Sequence, residues 1–373
     1  MKKTGFISHE SFFWHNTGNG SLFLPPGGWV EPNIHAENPA TKRRFKNLLE
    51  LSGLYDQLEK ISPRTSTREE LEYFHTAEYI DNIKKLSDQT GGDAGELSLF
   101  GKGSFEIAKL ATGGAITATD AVMNGDVDNV YALIRPCGHH AERDRGMGFC
   151  IFNHVAIAAK YAKKKYGLKR ILIVDWDVHH GNGTEQAFYD DPDVLFVSLH
   201  QELNYPANSG LVEHTGEGKG EGYNINIPLP AGTGNAGYMH AFEQIIGPIA
   251  EEFKPELIYI SAGQDASNYD PLGRMMVDAE GYYQLANFMK KLAENHCDGK
   301  LIACHEGGYS ADYVPFCSLR IVEAMSEINT PVEDPYKINT PATTYIVTEG
   351  QKKLVEDVIK VHSNYWSFGK MSV

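Results

Sequence analysis

The feature that most constrains this chain is an apolar run that ends in polar side chains with metal-ligand chemistry. Ile171 to Val174 are continuously apolar and mostly β-branched, as in a strand that is covered on both faces of a parallel sheet. Alternate side chains of an extended segment point to the same face, so Asp175, Asp177 and His179 are expected to project together. Carboxylates and imidazoles are preferred ligands of Zn²⁺ and similar ions. The sequence therefore predicts a metal site where this strand ends.

Three more apolar runs end in glycines and polar side chains. They lead into the segments Gly138–His140, Gly263–Asp265 and Glu306–Tyr309. In open α/β sheets, ligands bind outside the carboxyl ends of the parallel strands, so we expect the four loops to converge on one crevice. A buried ion-pair network would also place acids there, but several neighbouring acids need a cation to offset their repulsion. We therefore favour a catalytic metal site.

Predicted strands alternate with predicted helices, which is typical of a parallel sheet. Further strands are expected at 194–199 and 223–228, and amphipathic helices at about 105–124, 153–166, 236–253 and 279–295. Residues 16–40 are rich in Gly, Pro and Asn, so we expect a long loop there, near the mouth of the site or at a subunit contact.

The composition favours a single enzyme domain in a reducing compartment. The 373 residues are 42% hydrophobic and 22% charged and contain no internal repeat, so we expect one catalytic domain over residues 1–373. The five cysteines are scattered, and no segment has the length of a signal-peptide core or of a membrane span. The predicted location is the cytoplasm. A net charge of −15 argues against binding to nucleic acid.

Together these motifs resemble those of the histone deacetylases and related acetylpolyamine amidohydrolases. The chain is most similar to bacterial class II histone deacetylase-like amidohydrolases, because Asn182 stands where class I members usually carry Asp. The resemblance spans nearly the whole chain, and its motifs are Arg135–Ala141, Gly148–Cys150, Asp175–Gly183, Ser261–Gly273 and Glu306–Tyr309. It implies an α/β fold of one domain, arginase/deacetylase-like, with a mostly parallel sheet of about eight strands and helices on both faces.

The resemblance implies one catalytic Zn²⁺, held by Asp177, His179 and Asp265. Coordination positions would stay open for water and a substrate carbonyl, as in other catalytic zinc sites. Tyr309 follows two glycines and would donate a hydrogen bond to the developing oxyanion. The implied reaction is hydrolysis of acyl amides of lysine side chains, above all acetyl amides, by a metal-activated water.

The resemblance also assigns a histidine pair beside that water. His140 would be the general base and then the acid for the departing amine, while His139 would assist electrostatically. Asp175 would orient His139, whereas Asn182 would meet His140 with a neutral amide. An amide stabilises an imidazolium less than a carboxylate does, so we expect a less basic His140 than in class I enzymes.

A narrow apolar tunnel for the lysine side chain and two K⁺ sites are further implications. The tunnel residues would be Gly148, Phe149, Tyr205 and Leu272. Leu272 favours acyl-lysine, because polyamine-specific relatives place an acidic residue there. The inner K⁺ site would be formed by Asp175, Asp177, His179, Ser198 and Leu199, and the outer one by Phe188, Asp191, Val194 and Tyr223.

Other functions stay open. An acetylpolyamine deacetylase would use the same residues, and a non-catalytic acyl-lysine binder would hold substrate without turnover. An arginase-like ureohydrolase with two Mn²⁺ ions is disfavoured, because Asp177, His179 and Asp265 supply no array of bridging carboxylates. The expected partners are acylated lysine peptides or proteins, small acylated amines, hydroxamate inhibitors and further copies of the chain in a dimer or tetramer.

Two positions depart from the family's pattern. Cys137 replaces the second proline of the usual Arg-Pro-Pro-Gly-His-His, which releases a φ constraint beside the histidine pair and introduces a thiol open to oxidation. Gln264 stands where Phe commonly precedes the metal-binding aspartate, so an amide is expected close to the zinc site.

Overall fold

The centre of the fold is a sheet of eight strands in which all neighbouring pairs are parallel. The computed structural model describes residues 3–368. In chain order the strands are β1 (Thr4–Ile7), β2 (Glu59–Ile61), β3 (Asn129–Ala132), β4 (Ile171–Asp175), β5 (Val194–Gln201), β6 (Asn224–Leu229), β7 (Leu257–Ala262) and β8 (Leu301–His305). Their order across the sheet is β6-β5-β4-β7-β8-β3-β1-β2. The predicted α/β fold is therefore confirmed, while the assignment of residues 1–373 to one catalytic domain stays a prediction.

Helices cover both faces of the sheet. They are α1 (Ala40–Leu51), α2 (Arg68–Leu71), α3 (Ala77–Gln89), α4 (Ser104–Met123), α5 (His154–Tyr166), α6 (Asn182–Phe188), α7 (Asn235–Ala241), α8 (Gly247–Phe253), α9 (Ala279–Cys297), α10 (Val314–Ser326) and α11 (Glu349–His362). A π-helical turn, Phe242–Ile246, joins α7 to α8, so the helix predicted at 236–253 is continuous but not α-helical throughout. The other three predicted helices correspond to α4, α5 and α9. None of the helices found within residues 3–368 is both long and apolar enough to span a membrane.

The central strands pack against a separate hydrophobic core on each face. Along β4, Leu172 and Val174 belong to one core, which includes side chains of α9 and α10. Ile171 and Ile173 belong to the other core, with side chains of α4 and α5. Because alternate residues of a strand point to opposite faces, a continuous apolar run is what a strand between two helical layers requires.

The strand predicted before the histidine pair is shorter than its apolar run. β3 ends at Ala132, although the apolar residues continue to Ile134. Beyond the strand, Arg135 lies against the N-terminal segment, where its guanidinium donates to the carbonyl oxygens of Phe12 (3.0 Å) and His15 (2.7 Å).

Residues 16–40 are largely irregular, as predicted, but contain a short antiparallel ladder. Asn19–Gly20 pairs with Asn33–Ile34. Two more short ladders pair Gly91–Asp93 with Leu99–Gly101 and Gly95–Glu96 with Gly146–Met147. The first of the three ladders shapes the loop that carries Phe23, a residue that lines the pocket described below.

A buried ion pair fastens this N-terminal segment to the end of β3. The Arg135 guanidinium donates from Nε to Glu37 Oε1 and from Nη2 to Glu37 Oε2, both at 2.7 Å. Each side chain is only 1% exposed. Burial alone would raise the pKa of Glu37, but Arg135 and Lys42 outweigh it and hold that pKa well below its ordinary value. A bidentate ion pair of this kind also fixes the direction in which the chain enters the loop that carries His139 and His140.

Glu37→Gln should destabilise the protein by about 3–5 kcal/mol, because it leaves the Arg135 charge buried without its partner. The free energy of unfolding is measured by chemical denaturation. The control is Glu10→Gln, which removes a pair whose Arg43 and Glu10 side chains are 44% and 57% exposed; its effect should stay below about 1 kcal/mol. Equal losses in the two variants would contradict the role given to the buried pair.

Candidate active site

The loops that follow β3, β4, β7 and β8 meet at one end of the sheet, as the sequence predicts. These strands lie side by side in the order β4-β7-β8-β3, so their carboxyl ends are neighbours. The loops contribute to a pocket lined by Phe23, Leu97, His140, Gly148, Phe149, His179, Asn204, Tyr205, Leu272 and Tyr309. Most of these lining residues are among those singled out from the sequence.

The three predicted metal ligands lie together beside this pocket. Candidate ligand atoms of Asp177, His179 and Asp265 are within 4.8 Å of one another. His179 Nδ1 is 3.1 Å from Asp177 Oδ1 and 3.2 Å from Asp265 Oδ2. Asp177 Oδ2 and Asp265 Oδ1 accept backbone hydrogen bonds at 2.8 Å from Gly307 and Val178 respectively. The buried Asp265 Oδ2 has no hydrogen-bond partner among the described residues, as expected of an atom that serves as a ligand.

The charge of this cluster suits a cation. Burial and the neighbouring Asp177 raise the pKa of Asp265 to about 8, since two buried carboxylates disfavour each other's ionisation. Burial alone would lower the pKa of His179, but Asp177 and Asp265 outweigh it and raise that pKa to about 10. A divalent ion would offset both carboxylates, and two carboxylates with one imidazole fit Zn²⁺ at a site of the catalytic kind.

Two glycines let the backbone close around the ligand carboxylates. A Cβ atom on Gly307 would lie 2.2 Å from Asp265 Oδ2 and 2.6 Å from Asp177 Oδ2. A Cβ atom on Gly263 would lie 2.3 Å from Asp177 Oδ2. A side chain at either position would therefore collide with the ligand oxygens. This close approach is the physical reason for the glycines that follow β7 and β8.

His139 and His140 lie side by side next to the cluster, with ring centroids 4.0 Å apart. His139 Nδ1 is 2.9 Å from Asp175 Oδ2, and its Nε2 is 3.6 Å from Asp177 Oδ1. Burial alone would lower the pKa of His139, but Asp177 and Asp175 outweigh it and hold that pKa well above its ordinary value. Burial and the neighbouring His139 and His179 hold the pKa of His140 well below its ordinary value. The pair thus divides into a cation and a neutral base.

Asn182 fixes which nitrogen of His140 carries the proton. The Asn182 Nδ2 group donates to Glu142 Oε1 (2.9 Å) and to the His140 carbonyl oxygen (3.3 Å). The amide oxygen therefore faces the ring, where it accepts a hydrogen bond from His140 Nδ1 at 2.8 Å. A neutral imidazole that donates from Nδ1 leaves Nε2 as its acceptor.

Tyr309 faces the pocket from the opposite side. Its backbone N–H donates to Asp270 Oδ2 at 2.7 Å. Gly308, with φ of +124°, makes the turn that brings the ring towards the pocket. The ring packs edge-on against Phe149, with centroids 5.6 Å apart. Burial raises the pKa of Tyr309 well above its ordinary value, so the phenol stays protonated and can donate a hydrogen bond.

The site can now be compared with those of known proteins. The histone deacetylase domain family matches residues 35–325. The histone deacetylase-like amidohydrolase of Pseudomonas aeruginosa is 44% identical over 339 residues, which cover 90% of this chain and 89% of that protein. The chain belongs to the histone deacetylase family. This membership supports the deacetylase or amidohydrolase class for the enzyme and confirms the resemblance read from the motifs.

Two more members of the histone deacetylase family are similar to this chain. The mouse polyamine deacetylase HDAC10 is 38% identical over 314 residues, which cover 81% of this chain and 46% of that protein. The crystal structure of the HDA15 HD domain has 30% sequence identity and a TM-score of 0.86, and the match covers 98% of this chain and 95% of that one. The last comparison supports the fold described above.

The predicted tunnel residues of this deacetylase family member all line the pocket. Gly148 and Phe149 form a tight corner with φ values of +50° and +70°. A Cβ atom on Gly148 would lie 2.4 Å from His140 Cδ2, so the wall at this point must be bare backbone. The Tyr205 ring lies 5.0 Å from the ring of His140, and the Tyr205 hydroxyl donates to Glu96 Oε1 at 3.2 Å. The Tyr205 hydroxyl is therefore anchored by an exposed carboxylate.

The residues predicted for the two K⁺ sites lie in two separate groups. Ser198 is paired in register with Asp175, so the inner group lies where the end of β4 meets the middle of β5. The outer group lies at the end of α6 and the starts of β5 and β6, and consists of Phe188, Asp191, Val194 and Tyr223. The Asp191 carboxylate there already binds the ammonium group of Lys163. Occupancy of either site by K⁺ stays a prediction.

Gln264 faces the core rather than the substrate. Its Nε2 group donates to the carbonyl oxygen of Ala262 at 2.7 Å, and the residue is fully buried. The sequence did not point to Phe23, Leu97 or Asn204 as lining residues, because each belongs to a loop without a recognisable pattern. Nor did it point to Asp270, which also accepts hydrogen bonds from the N–H groups of Leu272 (2.8 Å) and Gly273 (3.3 Å).

His179→Ala removes a predicted Zn²⁺ ligand. Changing a residue that only hydrogen-bonds to a ligand typically lowers metal affinity about 10–100-fold, so His179→Ala should lower the affinity for Zn²⁺ by more than that. Zinc content is measured after dialysis against a competing chelator. His214→Ala is the control, since His214 lies half-buried outside the cluster. Wild-type zinc affinity in His179→Ala would argue against this metal centre.

Proposed function

We propose that the protein is a Zn²⁺-dependent deacylase that hydrolyses acyl amides of lysine side chains, above all acetyl amides. The observation that carries the proposal is the convergence of Asp177, His179 and Asp265 beside His140 and Tyr309 in one pocket. Apolar walls suit the methylene chain of lysine, and polar groups at one end suit the amide.

The roles of the side chains follow from their geometry. When bound, Zn²⁺ would polarise the acyl carbonyl and acidify the attacking water. Neutral His140 offers its free Nε2 atom to the proton of that water and can return the proton to the departing amine. His139, oriented by Asp175, stabilises negative charge as a cation. The Tyr309 hydroxyl donates a hydrogen bond to the oxyanion that develops on the acyl group.

The proposal includes two structural K⁺ ions, a homo-oligomer and a cytoplasmic location. Cations would offset the buried carboxylates of Asp175 and Asp177. Trp29 and Ile34 expose 104% and 71% of their reference areas on the N-terminal loop, which offers apolar surface to another copy. All five cysteines are free, in keeping with a reducing compartment. Asn182 supports the class II branch.

Acetylpolyamine hydrolysis is the second candidate. Glu96 is exposed and accepts from the hydroxyl of Tyr205 at the rim, so it could attract an ammonium group of a polyamine. The similarity to the mouse polyamine deacetylase points in the same direction. Leu272 lines the pocket without charge and favours acyl-lysine.

Acyl release from an acetyl-lysine peptide and from acetylated polyamines should be measured in parallel with zinc-loaded protein. We expect release that a hydroxamate chelator blocks and that is faster from the peptide. Faster release from the polyamines would favour the second candidate. Peptide binding without any release would leave a non-catalytic acyl-lysine binder.

Tyr309→Phe should lower kcat about 10²–10³-fold, because it removes one hydrogen-bond donor to the oxyanion. Zinc content should not change, since no ligand is lost. Tyr269→Phe is a matched control, because its hydroxyl makes one long bond (3.5 Å) to the carbonyl oxygen of Tyr336. Near-normal turnover by Tyr309→Phe would rule out the assigned role of the phenol.

Asn182→Asp should move the acid limb of the kcat/KM profile to higher pH by about 1 pH unit. His140 works as a base only when neutral, so activity is lost as the pH falls through its pKa. A carboxylate at position 182 would favour the charged imidazolium and raise that pKa. The profile is recorded with one peptide substrate. An acid limb that stays in place would exclude His140 as the titrating base.

A further inference from the structure

Two cysteines lie against each other behind the wall of the pocket. The Sγ atoms of Cys137 and Cys150 are 3.3 Å apart, and both residues are buried. They share a hydrophobic cluster with Phe149 and Tyr309, which line the pocket. We propose that Cys137 and Cys150 form a reversible disulfide on reaction with a peroxide, and that this bond switches off the catalytic pocket.

The separation of the two sulfurs suits a disulfide better than a metal. Closing the pair from 3.3 Å to the disulfide length of about 2.05 Å requires an approach of only about 1.3 Å. Two thiolates on a tetrahedral zinc would lie about 3.8 Å apart, given Zn–S bonds of about 2.3 Å. The Cys137 thiol donates to the Gly148 carbonyl oxygen at 3.8 Å, and the Cys150 thiol lies within donating distance of both that oxygen (3.5 Å) and the Cys137 sulfur (3.3 Å).

The reaction balances with one peroxide as the oxidant. Cys137 is 4% exposed and Cys150 is 0% exposed, so the Cys137 thiol is taken as the one that attacks the peroxide, giving a sulfenic acid and releasing water or an alcohol. The Cys150 sulfur then displaces hydroxide from that sulfenic acid, and the hydroxide leaves as water with the Cys150 proton. Two thiols lose two hydrogens in total, and the peroxide O–O bond is reduced.

Glu306 is placed to carry that proton. One of its carboxylate oxygens lies within 4.8 Å of both sulfurs. Its Oε2 atom accepts from the Gly138 N–H at 2.6 Å, while its Oε1 atom has no partner within residues 3–368. Burial raises the pKa of Glu306 to about 7, so the carboxyl group can both accept and release a proton near neutral pH.

The disulfide would disturb the site through both of its neighbours in the chain. Oxidation removes the two S–H donors from the Gly148 carbonyl, and the Gly148 backbone packs directly against the His140 ring. Cys137 directly precedes Gly138, where a Cβ atom would lie 2.8 Å from the backbone nitrogen of His154. This segment has no room to absorb the movement, so His139 and His140 would shift with it. A displacement of about 1 Å at a catalytic group can cost about 10²-fold in rate.

The test treats zinc-loaded protein with hydrogen peroxide and then with dithiothreitol. We expect deacylase activity to fall about 10–100-fold and to return on reduction. Mass spectrometry should show the loss of two hydrogens and a Cys137–Cys150 cross-linked peptide. Cys137→Ser and Cys150→Ser should resist inactivation. The control is Cys297→Ser, which changes a solitary buried cysteine and should respond like the wild type.

The effect on activity depends on the proposed deacylase function, but bond formation is read by mass alone. A cross-link in protein that lacks turnover even when reduced would uphold the disulfide and refute the proposed function. An active protein that forms no cross-link, or one that is cross-linked without loss of activity, would overturn the switch. Two further results would overturn the switch. One is a metal bound by the two thiols and Glu306 that protects the thiols from peroxide, and the other is inactivation that reduction does not reverse.

Discussion

Three carboxylates buried without access to water, those of Asp175, Asp177 and Asp265, impose the main constraint on this structure. Each lies at or just beyond the carboxyl end of β4 or β7, and each is 0% exposed. An unpaired charge in such a place is costly, so the surrounding residues must supply donors or cations. Backbone N–H groups and His139 donate hydrogen bonds to those carboxylate oxygens that do not point towards the predicted metal position. The glycines after β7 and β8 follow from the same constraint, because only bare backbone can approach these oxygens so closely.

The same charges separate the two histidines of the catalytic pair. His139 lies against the carboxylate of Asp175, whereas His140 lies against the amide of Asn182. Both rings are buried, so the difference in their pKa values comes from the charges around them rather than from solvent. A cationic His139 also disfavours a second positive charge on His140, which strengthens the division into cation and base. Under the proposed function, an amide in place of a carboxylate at position 182 therefore tunes the base without moving any ligand.

The features whose positions in the structure agree with the sequence pattern are those that follow from local pattern. The apolar run of β4 and its polar end fixed Asp175, Asp177 and His179 on one side, with Trp176 and Val178 in the core on the other. The same alternation of side chains continues beyond the strand, which ends at Asp175. The convergence of four loops followed from the geometry of parallel sheets.

Other features depend on contacts between residues far apart in the chain, which no local pattern reveals. β3 ends at Ala132, and Arg135 just beyond it binds Glu37, 98 residues away. The neighbouring positions of Cys137 and Cys150 result from the corner at Gly148 and Phe149, whose positive φ values fold the chain back. The support that Glu96 gives to Tyr205 joins two loops more than a hundred residues apart. Such contacts become visible only once the sheet has placed its loops side by side.

Asp270 illustrates how one of these contacts joins substrate selection to catalysis. Its Oδ1 atom accepts from the N–H groups of Leu272 and Gly273, and its Oδ2 atom accepts from the N–H of Tyr309. One carboxylate therefore holds both the pocket wall at Leu272 and the backbone of Tyr309, the proposed hydrogen-bond donor to the oxyanion. Because these bonds go to backbone groups, the side chain at position 272 can vary while the phenol stays in place. Under the proposed function, substrate preference can thus change along this loop without loss of the group proposed to stabilise the transition state.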